Sequence, residues 1–150
     1  MNVAIIGLGL IGSKYDDNLN TSYSHRNSIL RNISYSDKFY IDSNLENIKY
    51  IAFKDKAKFS RNINDLPKVL NLVIISVPTK FHLEIYLKLT AKSEVETIIF
   101  EKPVGEDYLQ SKIIFEESIK NNQNIYVNYM RNTLPETSEI YDYIKKNSLR

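Results

Sequence analysis

The chain has no cysteine in its 150 residues. That excludes disulfide staples, thiolate catalysis and cysteine-ligated zinc, and it fits a reducing compartment, so a cytoplasmic location is expected. Charge of one sign is missing too. Twenty basic side chains against 18 acidic ones leave a formal charge of +2, interspersed along the sequence, with no basic footprint for nucleic acid. Nor is there a long hydrophobic run. The apolar opening reaches only from Val3 to Ile11, is broken by glycines and has no basic segment before it, so it reads as neither a signal peptide nor a membrane span. Glycine is scarce, four residues in all, yet three of them stand together at Gly7, Gly9 and Gly12. With 43% hydrophobic residues the chain can bury the core of one domain, but it is short for an enzyme that needs a second substrate-binding lobe.

Along the chain, strands and helices are expected to alternate. Asn2 to Ile6 is a short β-branched run that stops at Gly7, the pattern of a buried parallel strand entering a tight turn. A helix is expected from about Ile11, then the irregular DDNLNTSYSH segment and a short helical piece, HRNSILRN. Lys38 to Asp42 reads as the second strand. Ser43 to Glu46 behind it reads as a capping box, with the serine as the cap. KAKFS reads as a short edge strand, Asn64 to Leu70 as a short helix, and Leu72 to Pro78 as the central strand. KFHLEIYLKLTAK has the period of an amphipathic helix with Phe81, Ile85 and Leu89 on one stripe. Thr97 to Pro103 is a further strand, Glu106 to Asn121 a helix, Asn124 to Tyr129 the last strand, and Pro135 to Asn147 a final helix. Such alternation predicts a doubly wound α/β fold, a parallel sheet with helices on both faces.

G-x-G-x-x-G on its own is weak, because glycine is common. Here the context strengthens it: a strand before, a helix after, and an acidic residue at the end of the next strand. This is the dinucleotide fingerprint. Gly7 permits the turn, Gly9 lets the backbone approach a pyrophosphate, and Gly12 allows close packing, so that the N–H groups of Leu10 and Ile11 at the helix start face the phosphates. Asp42 would accept hydrogen bonds from the adenosine ribose, and its charge would repel a 2′-phosphate, which favours NAD over NADP. It lies further from Gly12 than the usual spacing of about 20 residues, an excess that DDNLNTSYSH accounts for. Asp37 precedes the strand, and an ordinary turn aspartate is the plain alternative for Asp42.

Ligands in open α/β sheets bind outside the carboxyl ends of the strands. Those ends carry Ser76, Val77, Pro78, Thr79 and His82 after one strand, Glu101, Lys102 and Pro103 after the next, and Asn128, Tyr129 and Arg131 after the last. The three clusters are expected to share one crevice. The segments GLGLIG, VPTKFH, FEKPVGED and VNYMRN, in this order, resemble the N-terminal domain of the Gfo/Idh/MocA oxidoreductases, the glucose-fructose oxidoreductase and inositol dehydrogenase family. The resemblance covers nearly the whole chain, and the EKP tripeptide is its most specific part. YDDNLNTSYSH is similar to a YD…THA loop of some members.

The resemblance implies that Pro78, Thr79 and His82 lie beside the nicotinamide half of the cofactor and that Glu101 contacts the nicotinamide ribose. It implies that Lys102 reaches nicotinamide and substrate and polarises the reacting hydroxyl or carbonyl, and that a cis peptide precedes Pro103. Hydride transfer at a carbon bearing a hydroxyl requires a positive charge for alkoxide character, which lysine supplies. For His82 the alternative is a helix-start histidine bonded to backbone. For His25 a local structural role stands beside a cofactor or substrate contact. For Arg131 a hold on a substrate carboxylate or phosphate stands beside a cap on the last strand. Asn132, where relatives often have a second arginine, puts the anion-binding role in question.

Members of the family carry a second α/β domain with an Asp…His pair for proton transfer and much of the substrate pocket. This chain has only His25 and His82. The expectation is that residues 1–134 form the dinucleotide-binding domain and 135–150 begin the connection to that second domain, the chain being cut at a boundary, a truncated gene product or a stand-alone module. The function implied is the NAD-binding half of a dehydrogenase acting on a sugar, polyol or nucleotide-sugar, homo-oligomeric at full length and needing neither metal, nucleic acid nor membrane. The alternative is a non-catalytic dinucleotide-binding or sensing module. S-adenosylmethionine would use Asp42 in the same way, but the EKP and VPTKFH segments argue against it. Apolar residues near Leu134, Ile140, Ile144 and Leu149 are expected to favour self-association.

Overall fold

The computed structural model describes residues 1–13, 24–129 and 135–147. The apolar opening forms β1 (Asn2–Ile6), which is paired on both sides. Its neighbours are β2 (Asp37–Ile41) and β4 (Val69–Ile75). With β3 (Lys58–Ser60), β5 (Glu94–Glu101) and β6 (Asn124–Asn128) they make one six-stranded sheet in the order β3-β2-β1-β4-β5-β6. Every pairing is parallel. The order reverses between β1 and β4, which is the switch point where such sheets open a crevice.

The helices are α1 (Leu10–Ser13), α2 (His25–Asn32), α3 (Leu45–Asp55), α4 (His82–Lys92), α5 (Tyr108–Lys120) and α6 (Pro135–Lys146). Strand residues alternate between two apolar layers, as the two-residue period of a strand requires. Ala4, Ile6, Val73, Ile75, Ile98 and Phe100 pack with Tyr86 and Leu89 of α4 and Ile114 of α5. Val3, Ile5, Leu72 and Ile74 pack with Ile29 of α2 and Ile48, Ile51 and Ala52 of α3. The sheet is therefore doubly wound, as the alternation predicts.

Four local expectations are corrected. β2 runs from Asp37 to Ile41, so Asp42 is the first residue after the strand, its N–H still bonded to Ser60 O at 3.2 Å. The cap of α3 is Asn44, whose side chain accepts the Glu46 N–H at 3.2 Å, and not Ser43. Asn64 to Leu70 is not a helix. A single 3-10 turn, Ile63–Asp65, ends at Leu66, which takes the extended ψ of 149° that a following proline favours. Val69 and Leu70 already belong to β4 and pair with Glu94 and Val95. On α4 the fully buried residues are His82, Tyr86 and Leu89, with Ile85 partly buried against the same layer; of the expected stripe it is Phe81 that stays outside. The helix begins at His82, whose ring finds two carbonyl partners inside, and Phe81 is left 40% exposed.

One buried polar cluster ties the second layer together. Arg26 donates from Nε and Nη2 to the two carboxylate oxygens of Asp55, each at 2.5 Å, and the Tyr40 hydroxyl donates to Asp55 Oδ2 at 2.7 Å. Burial holds the Tyr40 hydroxyl pKa far above that of a free tyrosine, and its bond to Asp55 adds to this. The start of α2, the end of α3 and β2 are thus joined by ionic and hydrogen bonds. Among the described residues no helix is long and apolar enough to cross a membrane.

Candidate functional site

The glycine turn after β1 is locked at both ends. Gly7 has φ +90°, a conformation costly for any residue with a Cβ. Its N–H donates to Ile41 O at 2.8 Å, and its carbonyl accepts from Ser76 Oγ at 2.6 Å. A Cβ at Gly12 would stand 2.0 Å from Gly7 O. So Gly12 is there for close approach, although the surface approached is the turn's own carbonyl and Ser76. Gly9 is different: a Cβ there would meet nothing within 4 Å. Ser13 closes the turn from behind, donating from N to Gly9 O at 2.9 Å and from Oγ to Leu8 O at 2.6 Å. The N–H groups of Gly9, Leu10, Ile11 and Gly12 meet no acceptor among the described residues.

Asp42 sits directly across from this turn. Its Oδ2 accepts the Leu8 N–H at 2.7 Å and its Oδ1 accepts the Asn44 N–H at 2.8 Å. Two backbone donors thus fix the carboxylate, and each oxygen keeps a lone pair for a further donor. Its own N–H donates to Ser60 O at 3.2 Å, so the end of β3 holds the backbone from which this carboxylate projects.

Gly7, Gly9, Asp42, Ser76, Val77 and Pro78 line one crevice of about 830 Å³, inside the range of about 300–1,000 Å³ usual for ligand sites. Its other walls escaped the sequence reading. Arg61, Asn62 and Asn64 come from the connection after β3, and Phe81, Ile85, Lys88 and Lys92 from α4. The strand-end rule, applied to β3 as it was to the other strands, finds the first group. Phe81 and Ile85 give the crevice an apolar wall, and Ile85 also packs against the core layer of Tyr86 and Leu89. Asp42 is the one carboxylate among the described lining residues, against the cations Arg61, Lys88 and Lys92. Lys88 also bridges to Glu84 at 2.5 Å. The described lining thus sets three cations against a single carboxylate, which stands at the ends of β1 and β2.

The remaining strand-end residues form a second cluster that does not line this crevice. Glu101 and Asn128 end β5 and β6 as register partners. Asn128 Nδ2 donates to Glu101 Oε1 at 2.7 Å, and His25 Nε2 lies 2.6 Å from the same oxygen. Lys102 is exposed next to Glu101, and the Lys102–Pro103 peptide is cis. His82 is fully buried. Its Nε2 lies 2.9 Å from Val77 O and its Nδ1 3.1 Å from Val104 O. It faces backbone in both directions and does not reach the crevice, so it joins the turn after β4 to the turn after β5. Thr79 opens the short 3-10 turn before α4. Arg131, Leu134, Leu149 and most of DDNLNTSYSH lie outside the described residues. Among the described residues no three His, Asp or Glu side chains gather as a metal site.

Residues 1–129 match the sequence model of the Gfo/Idh/MocA oxidoreductases, described as an oxidoreductase family with an NAD-binding Rossmann fold. No curated protein sequence matches the chain. Solved structures resemble it in fold. A dehydrogenase from Clostridium difficile is 22% identical with a TM-score of 0.74, 98% of this chain covering 44% of that one. Myo-inositol 2-dehydrogenase from Lactobacillus plantarum is 17% identical with a TM-score of 0.71, 97% covering 42%. UDP-N-acetylglucosamine 3-dehydrogenase from Acidithiobacillus ferrooxidans is 14% identical with a TM-score of 0.72, 95% covering 41%. The chain thus spans well under half the length of the structures it matches.

Proposed function

The chain belongs to the Gfo/Idh/MocA oxidoreductase family, and from that premise we propose that it holds NAD and serves as the cofactor half of a dehydrogenase for a sugar, polyol or nucleotide-sugar. The observation that carries this reading is the meeting of Gly9 and Asp42 in one crevice. A backbone with open space over it and N–H groups that are unpaired among the described residues suits a pyrophosphate, and a carboxylate pinned by two N–H groups suits ribose hydroxyls. Asp42 also disfavours the 2′-phosphate of NADP, while Arg61 and the α4 lysines supply counter-charge for the pyrophosphate.

When bound, the nicotinamide supplies the hydride acceptor or donor. The chain's own residues do the rest of what can be assigned. Phe81 and Ile85 offer an apolar wall that keeps water from the crevice. Lys102 presents an ammonium at the ends of β5 and β6, where it would stabilise negative charge on a substrate oxygen, with Glu101 beside it for the nicotinamide ribose. Residues 1–134 would form the dinucleotide-binding unit, with α6 leading out of it.

Calorimetric titration of the 150-residue chain with NAD and NADP, with Asp42→Ala as control, tests the reading. Saturable NAD binding that the substitution weakens supports it. A folded chain that binds neither dinucleotide overturns it.

A further inference from the structure

His25 opens α2, and Glu101 ends β5, 76 residues away in sequence, yet their side chains meet at 2.6 Å. Asn128 reaches the same Oε1 from β6. Both donors therefore crowd one carboxylate oxygen, and among the described residues Oε2 has no partner. The pair is mostly buried, with side-chain exposures of 11% for His25 and 18% for Glu101. His25 does not hang from a loose element. Ser24 caps α2 by accepting the Asn27 N–H at 3.2 Å, and Arg26, the next residue, is fixed by its two bonds to Asp55.

A glutamate at a strand end has three side-chain torsions, and ordering them costs entropy. Two bonds to one oxygen bear that cost before any ligand arrives and leave the other oxygen able to accept a bond from a ligand. We propose that His25 is a positioning residue, which with Asn128 holds Glu101 so that Oε2 is presented to a vicinal diol of the cofactor's nicotinamide ribose, beside Lys102. This rests on the dinucleotide reading above. It assigns His25 a function through Glu101 instead of a contact of its own, and it makes Asn128 a support of the site.

The test separates the two halves of the cofactor. NAD carries the nicotinamide ribose, and ADP has only the adenosine and the pyrophosphate. Affinities for both are measured for the wild-type chain, His25→Ala, His25→Gln and Asn128→Ala. His25→Ala is expected to weaken NAD by about tenfold or more, the range for losing a hydrogen bond to a charged group, and to leave ADP within about twofold. His25→Gln, which keeps a donor, is expected to recover much of the NAD loss. Asn128→Ala, on the edge strand, repeats the pattern and serves if His25→Ala does not fold. NAD and ADP weakening in parallel would show that His25 only ties α2 to β5, and unchanged NAD affinity would likewise overturn the inference. A wild-type chain that binds ADP and NAD equally would remove the ribose contact alone, whereas one that binds neither would remove the dinucleotide reading as well.

Discussion

Replacing Gly9 and Gly12 by alanine, one at a time, should separate binding from folding within a single turn. The Gly12 Cβ would sit 2.0 Å from Gly7 O and 2.7 Å from Ser76 Oγ, where ordinary contact begins at 3.4 Å. The carbonyl cannot retreat freely, because Ser76 Oγ already holds it at 2.6 Å. Overpacking of this kind costs about 1–3 kcal/mol, and loss of the serine bond about 1 kcal/mol more. A total of roughly 2–4 kcal/mol is a large part of the ~5–15 kcal/mol of a typical domain, and should lower Tm by about 5–15 °C. A Cβ at Gly9 would meet nothing within 4 Å among the described residues, and Gly9 has no positive φ, so Gly9→Ala should change stability by no more than ~0.5–1 kcal/mol. If a pyrophosphate lies over Gly9, the added methyl meets it. A clash of ~1–3 kcal/mol there weakens NAD by roughly 5- to 150-fold. Thermal denaturation and calorimetry on both variants give the readout. A Gly12→Ala protein as stable as wild type would refute the packing argument, and a Gly9→Ala protein that binds NAD normally would refute the placement of the phosphates.

Three other substitutions or conditions have defined outcomes. Asp42→Asn keeps the shape of the side chain but removes the charge, and should lower NAD affinity by about tenfold while narrowing the preference over NADP; an unchanged ratio in paired titrations would remove Asp42 from cofactor choice. Tyr40 keeps its proton in the folded chain above pH ~10, where an unfolded tyrosine loses it. Its folded pKa is raised, so its contribution is complete below pH ~10 and is lost as pH climbs further, at up to ~1.4 kcal/mol per pH unit. Tyr40→Phe should flatten that alkaline decline in urea midpoints, and an equal slope in both proteins would contradict the buried hydroxyl's role. On α6, Ile140, Tyr141 and Tyr143 are 59–64% exposed and Ile144 is 40% exposed, so the chain should self-associate at high concentration. Light scattering that shows a clean monomer would count against it.

The scaffold of the site was legible because it rests on local rules. A positive φ at Gly7 and the close approach at Gly12 follow from backbone sterics, and Asp42 from its place at a strand end. The alternation of apolar runs was enough for a parallel sheet, since strands covered on both faces read as near-continuous apolar runs. What the sequence hides is whatever depends on the meeting of distant segments. Nothing local in HRNSILRN points at Glu101, because that contact needs α2, β5 and β6 already in place. Arg61 borders the crevice only because β3 is the sheet's edge beside β2. Phe81 and Ile85 have the period of a core stripe, and only the inward turn of His82 shows that they face the crevice. Ser43 and Asn44 are both good caps, so a shift of one residue decides between them. The misread helix after Asn64 fails at Leu66, where the following proline imposes extended backbone.

The central claim is that the crevice between the glycine turn and Asp42 holds the dinucleotide. Amide chemical shifts of the isotope-labelled chain, followed by NMR as NAD is added, test it most directly. The account predicts saturable shifts at Gly7, Gly9, Leu10, Ile11, Gly12 and Asn44, with the amides of the exposed face of α5 unmoved. Saturable shifts elsewhere, with those of the glycine turn unchanged, would contradict it.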